Sequence, residues 1–342
     1  MEFTFDLNTT WFILIGVLFS GYAILDGFDL GVGALHLFSK GDENRRLLLN
    51  SIGPVWDGNE VWLVTGGGAL FAAFPDVYAT AFSGFYIPFM LLLFVLIFRA
   101  VSIEVRSKNE KAWWRKTFDF AFSFSSFFIA LLMGITVGNI IQGLPIGADK
   151  YFTGSIIQML NPYALAVGIT TVAAFMMHGS IYLVMKTEGN LQTQIKGWVQ
   201  NTMIFFIISY ATVTVATLIY MPYMAEKFRE YPVLFLIAIA NMLAIANIPR
   251  EISKNREFLA FLSSSVAILL LLTIFAIGLF PNFLISSINP AYSLNIYNAS
   301  SSDGTLNIML LMAIIGIPFV LAYTISIYWV FRGKVKIDST SY

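Results

Sequence analysis

The 342-residue chain has no cysteine, two histidines and little charge: 20 Lys and Arg balance 20 Asp and Glu, so the net charge is zero. Without cysteine there are no disulfides, iron–sulfur clusters or thiolate zinc sites, while the compartment stays open. Zero net charge argues against a broad basic face and hence against nucleic acid as a partner. His36 and His178 are too few to hold several haems, although 13 methionines leave mixed ligation formally open. A packed or hydrogen-bonded His178 is the favoured reading over a haem ligand. Two glycine-rich stretches fail as nucleotide motifs: TGGGAL lacks the Gly-Lys-Ser/Thr that completes a phosphate loop, and GVGALH lacks the third glycine of a dinucleotide fingerprint. No basic leader precedes the first apolar run at 11–25, so a cleavable signal is not expected.

What is present is apolar residue in long blocks. Hydrophobic residues make up 58% of the chain and the mean hydropathy is +0.76, too apolar for a soluble globule. A hydrocarbon core takes about 20 apolar residues per helix. Nine such helices are expected, near 11–37, 47–74, 77–102, 115–141, 158–185, 200–222, 231–249, 257–280 and 307–331. The fold class is therefore all-α, a polytopic integral membrane protein forming a single membrane domain over 1–342. With the N-terminus outside, seventeen of the 20 basic residues fall in cytoplasmic segments or helix ends, and only Lys150, Lys227 and Arg229 fall outside. That bias sets the expected orientation, with the C-terminus cytoplasmic. Trp11, Trp113, Trp114 and Trp198 stand where interfacial anchors are expected, and Pro75, Pro222, Pro249 and Pro281 at or past helix ends. The Ser- and Asn-rich stretch 281–306 reads as a solvated cap without chemistry. At an offset of 152, Gly16 meets Gly168 and Asp26-Gly27 meets His178-Gly179. Two related four-helix bundles plus one peripheral helix are a candidate arrangement.

Four acids interrupt this apolar pattern. Asp26 and Asp29 lie three apart in the first helix, Asp57 and Glu60 three apart in the second, so each pair shares a helix face. Counting residues from the helix ends gives Asp29 and Asp57 similar depths, and two facing acidic pairs are expected. Four ionised acids facing lipid would cost on the order of 10 kcal/mol. Protonation, hydration or a partner can remove that cost, and each describes a proton path, an ion site or a buried interface. Proton conduction is favoured; neutral hydrogen-bond glue between helices, metal bridging and substrate coordination are the alternatives. Gly27, Gly31, Gly66, Gly67 and Gly68 suit close helix packing. Pro54 cannot donate to the carbonyl of Asn50, so a kink is expected just before Trp56 and Asp57, a natural opening for water.

The stretches GYAILDGFDLGVGAL (21–35), NSIGPVWDGNEVWLVTGGGALFAAFP (50–75) and AFSGFY (81–86) closely resemble subunit II of the cytochrome bd quinol oxidases. FRAVSIEVRSK (98–108), WWRKTFDF (113–120) and GNIIQGLP (138–145) keep the register, and beyond about residue 150 the likeness rests on hydropathy. The resemblance implies a prokaryotic cell-membrane complex that oxidises quinol and reduces dioxygen to water with cytoplasmic protons. It further implies that subunit I, the partner, carries two b-type haems and one d-type haem. This chain would then bind no haem or metal and hold no catalytic residue; membrane lipid and a small single-helix subunit are further candidate partners. On that reading Asp57, beside Trp56, takes up protons, and Asp26, Asp29 and Glu60 extend or orient the route. Glu104 and Lys108 are a second candidate uptake point, against a reading as ordinary interfacial charges. An ion-coupled secondary transporter and a purely structural assembly subunit are the rival functions.

Overall fold

A computed structural model describes residues 6–337. The chain is almost entirely helical: α1 (Leu7–Leu35), α2 (Asp42–Ile52), α3 (Trp56–Ala73), α4 (Pro75–Gly84), α5 (Tyr86–Val105), α6 (Ala112–Gln142), α7 (Ile156–Met159), α8 (Pro162–Lys186), α9 (Gly189–Tyr220), α10 (Glu226–Glu230), α11 (Phe235–Ser253), α12 (Glu257–Leu279) and α13 (Asp303–Val330). Local chemistry sets several of the ends. Asp6, Asn161 and Ser302 accept backbone N–H groups at the starts of α1, α8 and α13, each satisfying a donor that the helix leaves open. Pro162 occupies the first turn of α8, where its missing N–H costs nothing. Gly143 ends α6 at φ +90°, a conformation that strains any residue with a Cβ.

Among the described residues, eight helices are long and apolar enough to cross a membrane. The ninth expected span, 47–74, is divided rather than kinked: α2 ends at Ile52, Gly53 to Val55 form a turn, and α3 restarts at Trp56. Pro54 lacks the N–H that would continue the ladder, and α3 carries Asp57, Asn59, Glu60 and Thr65, which lower its hydropathy. The expected span 77–102 is likewise divided at Phe85, because Pro88 cannot donate to the carbonyl of Gly84. Two expected boundaries move. Pro249 lies inside α11, and Trp198 lies inside α9, which begins at Gly189 rather than near 200.

Helix α8 is the most enclosed and α13 the least. α1 packs on α3, α6 and α8; α8 packs on α1, α6, α9 and α12; α5 pairs with α6, and α11 with α12. α1 and α8 touch at backbone distance. A Cβ on Gly31 would stand 1.8 Å from the Phe175 carbonyl oxygen, and one on Gly179 2.5 Å from the Val32 nitrogen, so glycine at both positions is a condition of the crossing. α13 packs chiefly on α1 and α3 and leaves Ile325, Trp329 and Val330 exposed.

Segment 281–306 is more than a solvated loop. Strands β1 (Asn282–Leu284) and β2 (Leu294–Asn295) pair antiparallel, and Leu284, Leu294, Ile296 and Ala299 are buried. Ser301 donates from its backbone N–H to Ala73 and from its hydroxyl to Ala72, capping the last carbonyls of α3.

Candidate functional site: a buried cluster of acids around one arginine

The acids of α1 point into the bundle. Asp26 and Asp29 are fully buried, as a 3.6-residue repeat allows for positions three apart. Asp26 accepts two hydrogen bonds from Arg99 of α5, from Nη2 at 2.5 Å and Nη1 at 3.0 Å. Arg99 is itself fully buried, and its Nη1 lies 3.5 Å from the Glu60 Oε1, whose side chain is 20% exposed. One guanidinium thus joins α1, α3 and α5 through two carboxylates. Its planar fork suits the bidentate geometry.

Asp29 has a different neighbour from the one expected. Its Oδ2 accepts from the Asn59 Nδ2 at 2.7 Å, and its Oδ1 has no hydrogen-bond partner among the described residues. Asn59 also donates to the Leu25 carbonyl at 3.2 Å and accepts from the Tyr328 hydroxyl at 2.9 Å. Tyr328 thereby ties α13 to the acid cluster.

The expectation of two facing acidic pairs needs correction. Asp57 does not face Asp29: it is exposed, whereas Trp56 before it is buried. The reason is the chain break at Pro54. Because α3 starts afresh at Trp56, Asp57 stands in a first helical turn, where a carboxylate meets unpaired N–H groups and the positive end of the helix dipole. It shares an open face of α3 with exposed Val61 and Val64, and with Gly58, Gly67 and Gly68, which have nothing within 4 Å of where a Cβ would stand.

Glu104 and Lys108 are both exposed at the end of α5, with buried Arg106 between them. Arg106 belongs to a second network. Its Nε donates to Asp119 at 2.6 Å and its Nη2 to Asp42 at 2.7 Å; Arg45 donates to Asp119 at 3.0 Å and Arg115 to Asp42 at 2.7 Å. His36 also donates through Nε2 to Asp119, at 2.6 Å. His178 is held on both sides. Its Nε2 donates to the Ile24 carbonyl at 3.0 Å, its Nδ1 lies within hydrogen-bond distance of the Ser264 hydroxyl at 2.7 Å, and the ring stacks on Phe261. Both nitrogens of His178 are engaged inside the bundle, the packed and hydrogen-bonded arrangement favoured for it, and His36 is turned to a carboxylate. Among the described residues, no group of three or more His, Asp or Glu side chains is arranged to hold a metal ion.

Arg99, Asn59, Asp119 and Tyr328 were not singled out from the sequence. Arg99 is one of the seventeen basic residues that the expected topology assigns to cytoplasmic segments or helix ends. The available signal was its position inside the expected span 77–102, where an unpaired guanidinium would be costly. Asn59, between two acids in an apolar run, carried a similar signal.

These features define a multi-pass helical membrane protein with a charged cluster built into its bundle. Residues 7–331 match the family described as cytochrome bd terminal oxidase subunit II. The chain is 36% identical to the cytochrome bd-I ubiquinol oxidase subunit 2 of Escherichia coli K12, over 96% of this chain and 95% of that one. It is also 36% identical to the cytochrome bd ubiquinol oxidase subunit 2 of Bacillus subtilis 168, over 97% of each. A chain of the bd oxidase from Geobacillus thermodenitrificans has the same fold, with a TM-score of 0.80 at 16% identity, covering 95% of this chain and 98% of that one. The chain belongs to the cytochrome bd oxidase subunit II family.

Proposed function

We propose that this chain is the haem-free subunit of a quinol-oxidising, dioxygen-reducing complex, and that the open face of α3 carries protons from the cytoplasm toward a haem-bearing subunit I. The relatives' names as ubiquinol oxidase subunits support the activity. The two b-type haems and the d-type haem belong to the partner on this reading. They would supply the electron transfer and oxygen chemistry, and the residues of this chain handle only protons and packing.

One observation carries the proton role. Asp57 is exposed on a face of α3 that no described residue covers, and Glu60, one turn further in, reaches the buried Arg99. Charge balance adds to it. Asp26, Asp29 and Glu60 surround a single guanidinium, so the cluster is neutral only when two of the three carboxyls hold protons. That imbalance of three carboxyls against one cation supports proton exchange at the site. Asp26, locked by two hydrogen bonds, anchors the cluster, which favours a structural role for that acid; Asp57 and Glu60 exchange protons. Asn59 orients Asp29 without relaying, because an amide passes a proton only by tautomerising. Glu104 and Lys108 stay a second uptake point at the same end. The family accounts for the buried acids without an ion-coupled transporter.

The test uses the assembled complex. Asp57→Asn and Asp57→Ala should slow oxygen consumption while the haem spectrum and subunit stoichiometry stay as in wild type. Full activity in both variants removes the proton role of Asp57, and loss of assembly assigns it to packing.

A further inference from the structure

We propose that the basic end of the bundle holds a phosphate-binding site between α2, α8 and the segment after α13, and that its occupant is the headgroup of an anionic phospholipid. A cavity of about 370 Å³ opens there, and Asn50, Tyr182, Lys186, Arg332 and Lys336 contribute to its lining. Lys186 is the central observation. It is 8% exposed, and its Nζ spends one hydrogen bond on the Phe331 carbonyl at 2.6 Å and lies over the Tyr182 ring at 5.6 Å from the centroid. An ammonium has three donors, and no carboxylate pairs with Lys186, Arg332 or Lys336 among the described residues. Lys334, the fourth cation of the lining, is neutralised by Glu257 at 2.6 Å.

A nearly buried ammonium with no anion among the described residues is costly, and two further cations that no described carboxylate neutralises, at the same mouth, raise the cost. A phosphate oxyanion removes it, accepting from Lys186 inside and from Arg332 and Lys336 at the rim. Position selects the source. Arg332 stacks on Trp329, 3.8 Å from the ring centroid; Val330 lines the cavity, and Ile325 and Trp329 lie exposed along the same last turns of α13. Acyl chains can follow that apolar strip while the headgroup enters the cavity, the arrangement expected of basic clefts between membrane helices.

The test is made on the purified oxidase complex, exchanged into phosphatidylcholine nanodiscs and then offered phosphatidylglycerol or inorganic phosphate. Native mass spectrometry counts retained anionic lipid, and the thermal midpoint reports occupancy. Wild type should retain phosphatidylglycerol in preference to phosphatidylcholine and gain stability with it. Lys186→Gln with Lys336→Gln should weaken retention roughly fivefold per charge removed, and Lys186→Arg should keep it. Arg332→Gln, at an exposed position, carries the same test should the Lys186 variant fail to assemble. Equal retention by wild type and the Gln variants overturns the site. Stabilisation by inorganic phosphate as strong as that by lipid overturns the assignment of a lipid occupant.

Discussion

Arg99 and Asp26 are joined by two hydrogen bonds, at 2.5 and 3.0 Å, with neither side chain exposed, and they link α5 to α1 inside the bundle. A charge pair in this position is maintained by mutual neutralisation. Without Arg99, Asp26 would be a bare charge in a low-dielectric interior, and without Asp26 the guanidinium would keep only the longer contact to Glu60 at 3.5 Å.

Breaking that pair should therefore cost more than removing it. Arg99→Met or Asp26→Leu alone is expected to destabilise the chain by about 3–5 kcal/mol, seen as loss of assembled complex. The double variant should recover part of the yield, because the closest charge pair goes as a unit and Glu60, 20% exposed, is left to hold a proton in place of its cation. A double variant as defective as the worse single one would show that the pair does more than cancel charge.

Glu60→Gln should behave differently. Asp26 still binds Arg99 through both Nη atoms, so the guanidinium stays paired when Glu60 loses its charge. Stability within about 0.5 kcal/mol of wild type is expected, together with slower turnover. Unchanged oxygen consumption would take Glu60 out of the proton route and leave it as a partner of Arg99.

The α1–α8 crossing gives a prediction independent of chemistry. Gly31→Ala places a methyl 1.8 Å from the Phe175 carbonyl oxygen, a backbone atom that cannot swing aside. Separation of the helices should cost at least about 1–3 kcal/mol and disturb both Asp29 and His178, which lie on the packed faces. Gly16→Ala, where a Cβ meets nothing within 4 Å, is the matched control and should be neutral. The thermal midpoints of the two variants decide the point.

At the start of α1, Asp6 accepts the Thr9 N–H at 2.8 Å. Slight burial pushes its pKa up, but the hydrogen bonds from Thr9 outweigh it and hold the carboxyl below its ordinary value. A depressed folded-state pKa gives stability that is present above the unfolded value, about 3.9, and lost as pH falls through the folded one. Asp6→Ala should cost about 1 kcal/mol at neutral pH. Asp6→Asn should keep the cap and remove its dependence on acid, which melting curves at pH 7 and below pH 4 would detect.

The sequence by itself determined the membrane class, the family and most of the spans, because each follows from local composition. Twenty apolar residues in a row must form a helix in lipid, since the backbone can satisfy its hydrogen bonds there in no other way without a closed barrel. A disturbance at Pro54 was legible, as a missing N–H acts on the carbonyl four residues before it, but it was expected as a kink and is a full break between α2 and α3. The four acids stood out by their cost. What they touch was not legible, because partners are set by rotation and depth of separate helices. Arg99 lies 73 residues from Asp26 and Tyr328 lies 269 residues from Asn59. Asp57 was expected to face Asp29 by counting along an unbroken helix. The turn at Gly53–Val55 resets that count, turning Asp57 outward and bringing Asn59 to Asp29. Only tertiary packing, with glycines letting α1 and α8 meet at backbone distance, decided which carboxyls are enclosed with a cation and which faces the surface.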